Sequence, residues 1–201
     1  DEFYKGETAQ KLVDFIQEKE GIITLEDLEE YKPVWRKPIE FYYKDLKIIS
    51  MGPPSSGGIC LAQIMKMLEQ FDLKSYGHNS LKSIQAIVEA ERRAYADRSY
   101  FLGDPDFVDV PIKNLINKDY AHNIANKIAL NKTTPSSEIK PGKINGVESP
   151  QTTHYSVVDK WGNAVSNTYT LNFSYGSGLV AKGTGILLNN EMDDFSVKPG
   201  V

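Results

Sequence analysis

Hydrophobic residues recur at helical spacing along most of the first 130 positions, and an alternating pattern replaces this spacing after about position 150. Ala9, Leu12 and Ile16 lie on one face of a helix with a 3.6-residue period, which predicts an amphipathic helix over about 7–19. Thr24, followed by Asp27 three residues later, is typical of a capped helix start. The first part of the chain is therefore predicted to be mainly helical.

A hairpin interrupts the helical pattern. The runs "IEFYY" and "LKIISM" are rich in β-branched and aromatic residues and flank Lys44 and Asp45, which predicts two antiparallel strands. Helical spacing resumes after "GPPSSGG" and continues through Leu61, Ile64 and Leu68. A further amphipathic segment covers about 112–129.

A longer helix is predicted from about Ser80 to Leu102. A partly apolar stripe along it consists of Ile84, Ile87, Val88, Glu91 and Tyr95. Glu89 with Arg93, and Arg93 with Asp97, are pairs at i, i+4 spacing. We interpret these charged pairs as the solvated face of the helix.

The segment 131–151 separates the helical part from the strands. Pro, Ser, Thr, Lys and Gly dominate it, which is typical of a polar linker or a long exposed loop. After it, "THYSVVD" and "NAVSNTYT" alternate like strands around a "KWGN" turn, and a glycine-rich stretch precedes "ILLNN". These patterns predict an α+β chain.

Composition limits the class of protein. The chain has 201 residues and a net charge of -4, so it has no basic surplus of the kind that nucleic-acid binders show. No apolar run approaches the ~18 residues that a membrane span needs, and "DEFYKGETAQ" is not a signal peptide. Cys60, the single cysteine, excludes an intrachain disulfide and is interpreted as a small buried side chain. The abrupt start and end suggest a piece of a longer protein.

Two motifs and three histidines have side chains that could form a binding site. "GPPSSGGI" opens a helix and could bind an anion there, but it lacks the ending of a phosphate-binding loop, so a structural turn is favoured. "GDPDFVDVP" clusters three acids without completing a calcium loop, and an acidic surface turn is favoured. The three histidines are isolated in sequence: His78, His122 and His154. Accordingly, no metal site is predicted.

The adjacent threonines after the linker allow two interpretations. On pattern alone, Thr152 and Thr153 start a strand, in which threonine is an ordinary residue. Alternatively, cleavage of the bond between Gln151 and Thr152 would free an α-amine, whose reference pKa is about 8, as a base for the Thr152 hydroxyl. A hairpin centred on Trp161 would place Thr152 opposite Thr170, with Cβ atoms ~5 Å apart. That register leaves an odd-length loop of three or five residues.

The combined motifs resemble one family. "QTTHYSVVDKWGNAVSNTYTLN" and "GILLNNEMDDFSVKPG" are similar to the start of the small subunit of γ-glutamyltranspeptidases, which are N-terminal-nucleophile hydrolases made as self-cleaving precursors. "FYKG", "GPPSSGG", "AYADRSYFLGDPDFV" and "PSSEIKPGK" resemble the second half of the large subunit of the same family. The resemblance extends over essentially the whole chain.

The resemblance implies a fold, a division of the chain and a site. It implies part of a four-layer αββα fold, with 1–151 as the C-terminal half of the large subunit and 152–201 as the beginning of the small subunit. Thr152 would be the nucleophile, with self-cleavage at Gln151–Thr152, and Thr170 would hydrogen-bond to it. The residues that would hold the α-amino end of the γ-glutamyl group are Asn172, Glu191 and Asp194. Without the resemblance, "NNEMDD" would be interpreted as an acidic loop.

The resemblance also implies a reaction. Glutathione or another γ-glutamyl amide would form a γ-glutamyl ester on Thr152, and water, an amino acid or a peptide would resolve it, without a cofactor. The family's carboxylate-binding arginine, serine pair and oxyanion glycines do not match positions within 1–201, so this chain alone is expected to be inactive and uncleaved. The resemblance implies a location in the periplasm or at the cell surface, as is usual for this family. A related acylase and a non-catalytic homologue remain as alternatives.

Overall fold

The computed structural model describes residues 1–142 and 153–194. Within these residues the chain divides into two compact units, each described separately below. One unit contains 1–35 and 153–193, and the other is built on 36–142. Helices dominate before residue 126 and strands follow after 152, in agreement with the predicted α+β class.

Short helices form the N-terminal part of the first unit: α1 (Glu2–Lys5), α2 (Glu7–Glu18) and α3 (Leu25–Glu30). The predicted apolar face of α2 is buried at Ala9 and Leu12. Helix α3 begins with a capping box, in which the Asp27 N–H donates to Thr24 Oγ1 at 3.2 Å and the Thr24 N–H donates to the Asp27 carboxylate at 2.8 Å. The sequence prediction of a capped start is confirmed.

The second unit opens with the predicted hairpin. Strand β1 (Ile39–Tyr43) pairs antiparallel with β2 (Leu46–Ser50), and the turn contains Lys44 with φ of 55°. Ile39 and Phe41 are buried because alternate residues of β1 face the helices.

The remaining helices of this unit are α4 (Gly57–Leu68), α5 (Leu73–Tyr76), α6 (Leu81–Phe101), α7 (Ile112–Leu115) and α8 (Lys118–Ala125). The predicted segment 112–129 is thus two helices rather than one, because Asn117 caps a new start by accepting a hydrogen bond from the Tyr120 N–H at 3.1 Å. Helix α4 packs against α6 and α8.

The α4–α6 contact uses small side chains from one helix and larger ones from the other. Ala86, Ala90 and Ala94 of α6 are fully buried, and Met67 and Leu68 of α4 pack in the same cluster. Alanine lets the two helix axes approach closely while the larger side chains fill the remaining space. Helix α4 also contacts β1 and β2 and therefore lies in the middle of this unit.

The charged face of α6 is not solvated, and this prediction was wrong. Glu89 and Asp97 are each 1% exposed and Arg93 is 6% exposed, whereas the apolar residues Ile84 and Val88 are 46% and 42% exposed. The physical reason is pairing: the Glu89 carboxylate accepts from Arg93, and Asp97 accepts several neutral hydrogen bonds. Buried charges and polar groups persist when their hydrogen bonds are satisfied.

Cys60 of α4 is 7% exposed, as the sequence predicted. Burial raises the pKa of its thiol to about 11. Because the thiolate is the reactive form of cysteine, this side chain acts as a small core residue.

The strands of the first unit form two short hairpins. Strand β3 (Thr153–Val158) pairs with β4 (Ala164–Tyr169), and β5 (Val180–Ala181) pairs with β6 (Ile186–Leu187). Ala181 is buried, and β5 contacts α2. Across 1–142 and 153–194, no helix combines the length and the apolarity that a membrane crossing requires.

Candidate active site

The β3–β4 hairpin has the predicted register. Thr153 lies opposite Tyr169, and Val158 lies opposite Ala164, which leaves a five-residue loop around Trp161. Every described pair fits a hairpin centred on that residue. The prediction for the two strands is therefore confirmed, whereas Gln151 and Thr152 lie outside the described residues.

The hairpin loop is shaped by one carboxylate. Asp159 accepts hydrogen bonds from the N–H groups of Trp161 and Asn163, both at 2.9 Å, and from the Asn163 side-chain amide at 2.8 Å. Hydrogen bonds from Asn163 lower the pKa of the Asp159 carboxyl below its usual value. Gly162 has φ of 86°, which favours glycine at this position. The loop chemistry thus sets the register, because a slip of one residue would break these bonds.

Thr170 follows directly after β4 and is partly buried. Its Oγ1 accepts a hydrogen bond from the Asn172 N–H at 2.8 Å. Asn172 has φ of 70°, a left-handed conformation that asparagine tolerates better than most residues. The chain therefore turns sharply between these two candidate residues.

A second asparagine joins this turn to the downstream candidates. The Asn172 side-chain amide donates to the Asn190 carbonyl at 3.0 Å, and the Asn190 side-chain oxygen accepts from the Phe173 N–H at 3.1 Å. The Asn190 N–H also donates to the Leu171 carbonyl at 3.0 Å. Three hydrogen bonds thus hold the stretch 171–173 beside the residue that precedes Glu191.

The glycine-rich stretch between these segments folds the chain back on itself. Gly176 has φ of 52°, and a Cβ at this position would lie 2.2 Å from the Leu188 carbonyl oxygen. The Ser177 N–H donates to the same carbonyl at 3.0 Å. Only glycine permits this close approach, so the sequence signal of repeated glycines has a direct structural cause.

Glu191 begins a short 3-10 helix, Glu191–Asp194. Its N–H donates to the Asn189 side-chain oxygen at 2.9 Å, and its side chain is partly buried. The backbone of Asp194 lies in the same turn. The structure therefore brings Thr170, Asn172 and Glu191 into one locally bonded region.

Sequence reasoning missed Asn189 and Asn190, although they lie in the quoted "NNEMDD" motif. A signal was available for Asn189, since asparagine side chains commonly hydrogen-bond nearby backbone in turns. Asn190 gave no such signal, because its partners lie 17 or more positions upstream. The acidic motif "GDPDFVDVP" and the glycine-rich motif "GPPSSGG" make structural contacts, as the sequence favoured. Asp106 forms an ion pair with Arg36, and the Gly57 N–H at the start of α4 donates to the Ser55 hydroxyl at 3.2 Å. In the part of the chain that the structure describes, no group of three potential metal ligands is found.

Comparison with known proteins gives one consistent result. The profile of the family described as Gamma-glutamyltranspeptidase matches residues 1–201. The "Glutathione hydrolase proenzyme" of Escherichia coli (strain K12) is 58% identical over 201 residues, which are 100% of this chain and 35% of that protein. The chain thus spans about a third of the length of this relative.

Solved structures give the same fold. The crystal structure of the Helicobacter pylori γ-glutamyltranspeptidase is 49% identical with a TM-score of 0.66, over 70% of this chain and 40% of that one. The cephalosporin acylase of Bacillus halodurans is 26% identical with a TM-score of 0.82, over 99% of this chain and 34% of that one. The described helices and strands are therefore part of the N-terminal-nucleophile hydrolase fold. Together with the profile match over every residue, these similarities show that the chain belongs to the γ-glutamyltranspeptidase family.

Proposed function

We propose that the full-length protein containing this chain is a self-cleaving γ-glutamyl transferase and hydrolase whose nucleophile is Thr152. The observation that carries the proposal is the β3–β4 register, which sets Thr153 opposite Tyr169. Continued by one residue, the same register would pair Thr152 with Thr170. The family membership supports the same assignment. On this proposal, 1–151 belongs to the large subunit and 152–201 to the small subunit of one precursor.

Self-cleavage is an acyl shift at Gln151–Thr152. The Thr152 hydroxyl adds to the Gln151 carbonyl, the C–N bond breaks, and the nitrogen takes a proton to become the Thr152 α-amine. Water then hydrolyses the resulting ester and restores the hydroxyl. The products are two chains that meet at this bond, and the new α-amine is the base for later turnover.

The Thr170 contact suits a role beside the nucleophile. Because Thr170 Oγ1 accepts the Asn172 N–H at 2.8 Å, the hydroxyl proton of Thr170 is directed elsewhere. A hydroxyl that accepts on one side can donate on another. In our proposal it donates to Thr152 Oγ1 and holds this oxygen for attack on the substrate carbonyl.

In turnover, Thr152 attacks the γ-carbonyl of glutathione or another γ-glutamyl amide. The leaving amine takes a proton, and a γ-glutamyl ester remains on Thr152 until water or an amino acid or peptide amine resolves it. No cofactor takes part in this proposed sequence.

Asn172, Glu191 and Asp194 are proposed to bind the substrate α-ammonium. The Asn172 amide nitrogen donates to the Asn190 carbonyl, so its carbonyl oxygen can serve as an acceptor. Carboxylates supply the stronger, charge-assisted contacts to an ammonium. The local hydrogen bonds of Asn190 support this grouping, since they hold Asn172 close in the fold to the start of the Glu191–Asp194 turn.

Two anilides that differ by one group test the proposal. An L-γ-glutamyl anilide carries the α-ammonium, and a glutaryl anilide is the same acyl group without the amine. We expect the full-length protein to prefer the γ-glutamyl compound, and its intact mass to show two fragments meeting at Gln151–Thr152. Preference for the glutaryl compound would favour the acylase alternative. The similarity to the cephalosporin acylase, at 26% identity, is the reason to test this alternative. An uncleaved, inactive protein would favour a non-catalytic homologue.

We also infer a periplasmic or cell-surface location, which rests on family membership alone. Fractionation of cells that express the full-length protein tests it. Recovery of the γ-glutamyl anilide activity with the cytoplasmic fraction would contradict this location.

A further inference from the structure

The three arginines of α6 differ in their partners. Arg92 and Arg93 both form ion pairs with the Glu89 carboxylate. Arg98 is 8% exposed, and in the described part of the chain its Nη2 atom has no hydrogen-bond partner and its guanidinium forms no ion pair. Arg98 is therefore a buried cation without an anion beside it.

The contacts that Arg98 does make compensate its charge only in part. Its Nε–H donates to Ser56 Oγ at 3.3 Å, and its Cζ atom lies 5.3 Å from the centre of the Tyr95 ring. Burying a charge is costly unless an opposite charge and hydrogen bonds offset it. A neutral hydroxyl and a solvent-exposed ring stabilise a guanidinium less than a carboxylate would.

The unpaired Nη2 atom belongs to the edge of Arg98 that faces Ser56. Nη2 lies on the same side of the planar guanidinium as the Nε–H, so the N–H groups of these two atoms point in nearly the same direction. Arginine binds a carboxylate in a bidentate way through such an edge. Because the Nε–H is directed at Ser56 Oγ, this edge faces the residue that directly precedes α4.

A cavity of about 540 Å³ lies beside this edge, between α4 and α6. Its walls include Ser56 and Tyr95, the two residues that contact Arg98, and the apolar surface comes from Cys60, Leu61 and Ile64. This volume is within the range of small-molecule sites. Arg98 itself lies behind Ser56, so a ligand would reach its edge by displacing the Ser56 hydroxyl.

The backbone at the start of α4 does not supply the donors of this site. The Gly57 N–H donates to the Ser55 hydroxyl and the Gly58 N–H donates to the Met51 carbonyl, both at 3.2 Å. This turn is therefore structural, and the donors for a ligand come from the Arg98 side chain. The positive end of the helix dipole still favours an anion at this position.

We propose that this cavity binds a small organic monocarboxylate with an apolar body. The Nε–Nη2 edge of Arg98 holds the carboxylate, the Ser56 hydroxyl donates to the same group, and the apolar body lies against Leu61, Ile64 and Tyr95. The inference stands apart from the proposed function, because all of these residues lie within the unit 36–142.

Glu91 gives the site its selectivity for one negative charge. It also lines the cavity and is exposed, seven residues before Arg98 and therefore about 10 Å away along the axis of α6. Its carboxylate repels a second negative charge at that end of a ligand. Arg92 lines the same end, but Glu89 already pairs with it. Monocarboxylates should therefore bind more tightly than dicarboxylates of the same shape.

Calorimetric titration of the 201-residue chain with matched probes tests the site. We expect 4-phenylbutyrate to bind at least about tenfold more tightly than 4-phenylbutanol, which has the same apolar body without the carboxylate. Equal affinities would overturn the proposal, and so would the absence of binding by phenylbutyrate at millimolar concentration.

Substitutions at Arg98 locate the binding. Arg98→Met should weaken phenylbutyrate binding at least about tenfold, whereas Arg98→Lys keeps the charge without the planar edge and should retain part of the affinity. Arg36→Met is the matched control, because Arg36 is an arginine of the same unit that pairs with Asp106 and lies outside the cavity walls. An equal loss in Arg36→Met and Arg98→Met would overturn the proposal, because net charge would then explain both.

Thermal unfolding separates loss of the site from loss of the fold. Without ligand, Arg98→Met should keep the Tm of the parent chain, because it removes an unpaired buried charge. Phenylbutyrate should raise the Tm of the parent chain and leave that of Arg98→Met unchanged. An equal rise in both would overturn the proposal.

Glu91→Gln tests the site without touching a buried residue. It should improve binding of 4-(4-carboxyphenyl)butyrate, a dicarboxylate, and leave binding of phenylbutyrate unchanged; an unaltered preference between the two probes would contradict the proposed orientation. The same titration of the full-length protein identifies the source of the carboxylate. Phenylbutyrate binding that depends on Arg98 there supports a free ligand, whereas its loss would overturn the proposal, because a carboxylate of the longer polypeptide would then occupy Arg98.

Discussion

The helical region 36–142 and the strand region 153–194 use polar side chains in opposite ways. In the helical region, carboxylates are buried and bind backbone or side-chain donors from distant parts of the sequence, as Glu89 does with Thr134. In the strand region, polar side chains bond to the backbone of turns, either a few positions away, as Thr170 does with Asn172, or in a neighbouring turn, as Asn172 does with Asn190. The strand region buries little apolar surface: among its described side chains, Ala181 is the one hydrophobic residue that is buried.

The two regions therefore fix the path of the backbone by different kinds of hydrogen bond. Long-range bonds to a buried carboxylate fix the path of a segment that has little apolar content of its own. Bonds between side chains and turn backbone shape the strand region, and the bond from Asn172 to the Asn190 carbonyl places Asn172 near the segment that starts at Glu191. We therefore expect substitutions in the helical region to affect stability first, and substitutions in the strand region to affect chemistry first.

The largest expected effect lies at the start of the strand region. In a full-length precursor, Thr152→Ala should reduce both self-cleavage and turnover below detection, because one hydroxyl serves both acyl transfers. Thr152→Ser should keep part of each. Intact mass and γ-glutamyl anilide assays provide the measurement, and a cleaved, active Ala variant would refute the assignment.

In the helical region, Glu89→Ala should cost about 3 to 5 kcal/mol of the free energy of unfolding, because it leaves Arg93 buried without its partner. The control is Glu40→Ala, which removes an exposed ion pair with Lys47 and should have far less effect, because solvent screens an exposed pair. Urea unfolding measures both. Equal effects at the two positions would show that the burial of Glu89 does not matter.

Lowering the pH should destabilise the helical region through its buried carboxylate Glu89. Burial alone would raise the pKa of Glu89, but hydrogen bonds from Thr134 and Arg93 outweigh it and lower the pKa from 4.5 to about 2. The stabilisation is therefore complete above pH 4.5 and is lost as the pH falls to about 2, on the order of 3 kcal/mol. Burial raises the pKa of Asp97, so its contribution has the opposite sign. Unfolding curves of Glu89→Gln from pH 5 to 2 should lose the acid dependence assigned to Glu89; an unaltered slope would contradict the assignment.

The smallest of these effects is expected at the proposed ammonium site. Asp194→Ala should lower kcat/KM for the γ-glutamyl anilide at least ~30-fold, since a charge-assisted contact contributes on the order of 2 to 3 kcal/mol. The glutaryl anilide lacks the ammonium and is the internal control. A similar loss on both anilides would place Asp194 outside this site.

Local patterns predicted most of the elements because their causes are local. The capping box at Thr24, the hairpin at Lys44 and the odd-length turn at Trp161 each depend on residues within a few positions. The contact between Thr170 and Asn172 also has a local cause, but the sequence connected these residues with a site only through the family resemblance.

The face of α6 could not be predicted in this way. Glu89 and Asp97 look like members of ordinary i, i+4 pairs, and the residues that bury them come from elsewhere in the chain, with Thr134 and Gly142 more than 40 positions away. Periodicity detects apolar stripes and has no signal for a carboxylate whose donors are distant backbone groups. Asn190 escaped notice for a related reason, since one of its partners lies 18 positions upstream.

The buried thiol of Cys60 is a built-in probe of local unfolding in the helical region. At pH 7 a pKa of about 11 leaves roughly one thiol in 10,000 as thiolate, and the side chain is mostly buried in the core that joins α4 to its neighbours. An alkylating reagent should therefore react faster when that core opens. Cys60 is the single cysteine of the 201 residues, so the labelling signal comes from this position alone. The rate of labelling would therefore report how often the helical region opens locally.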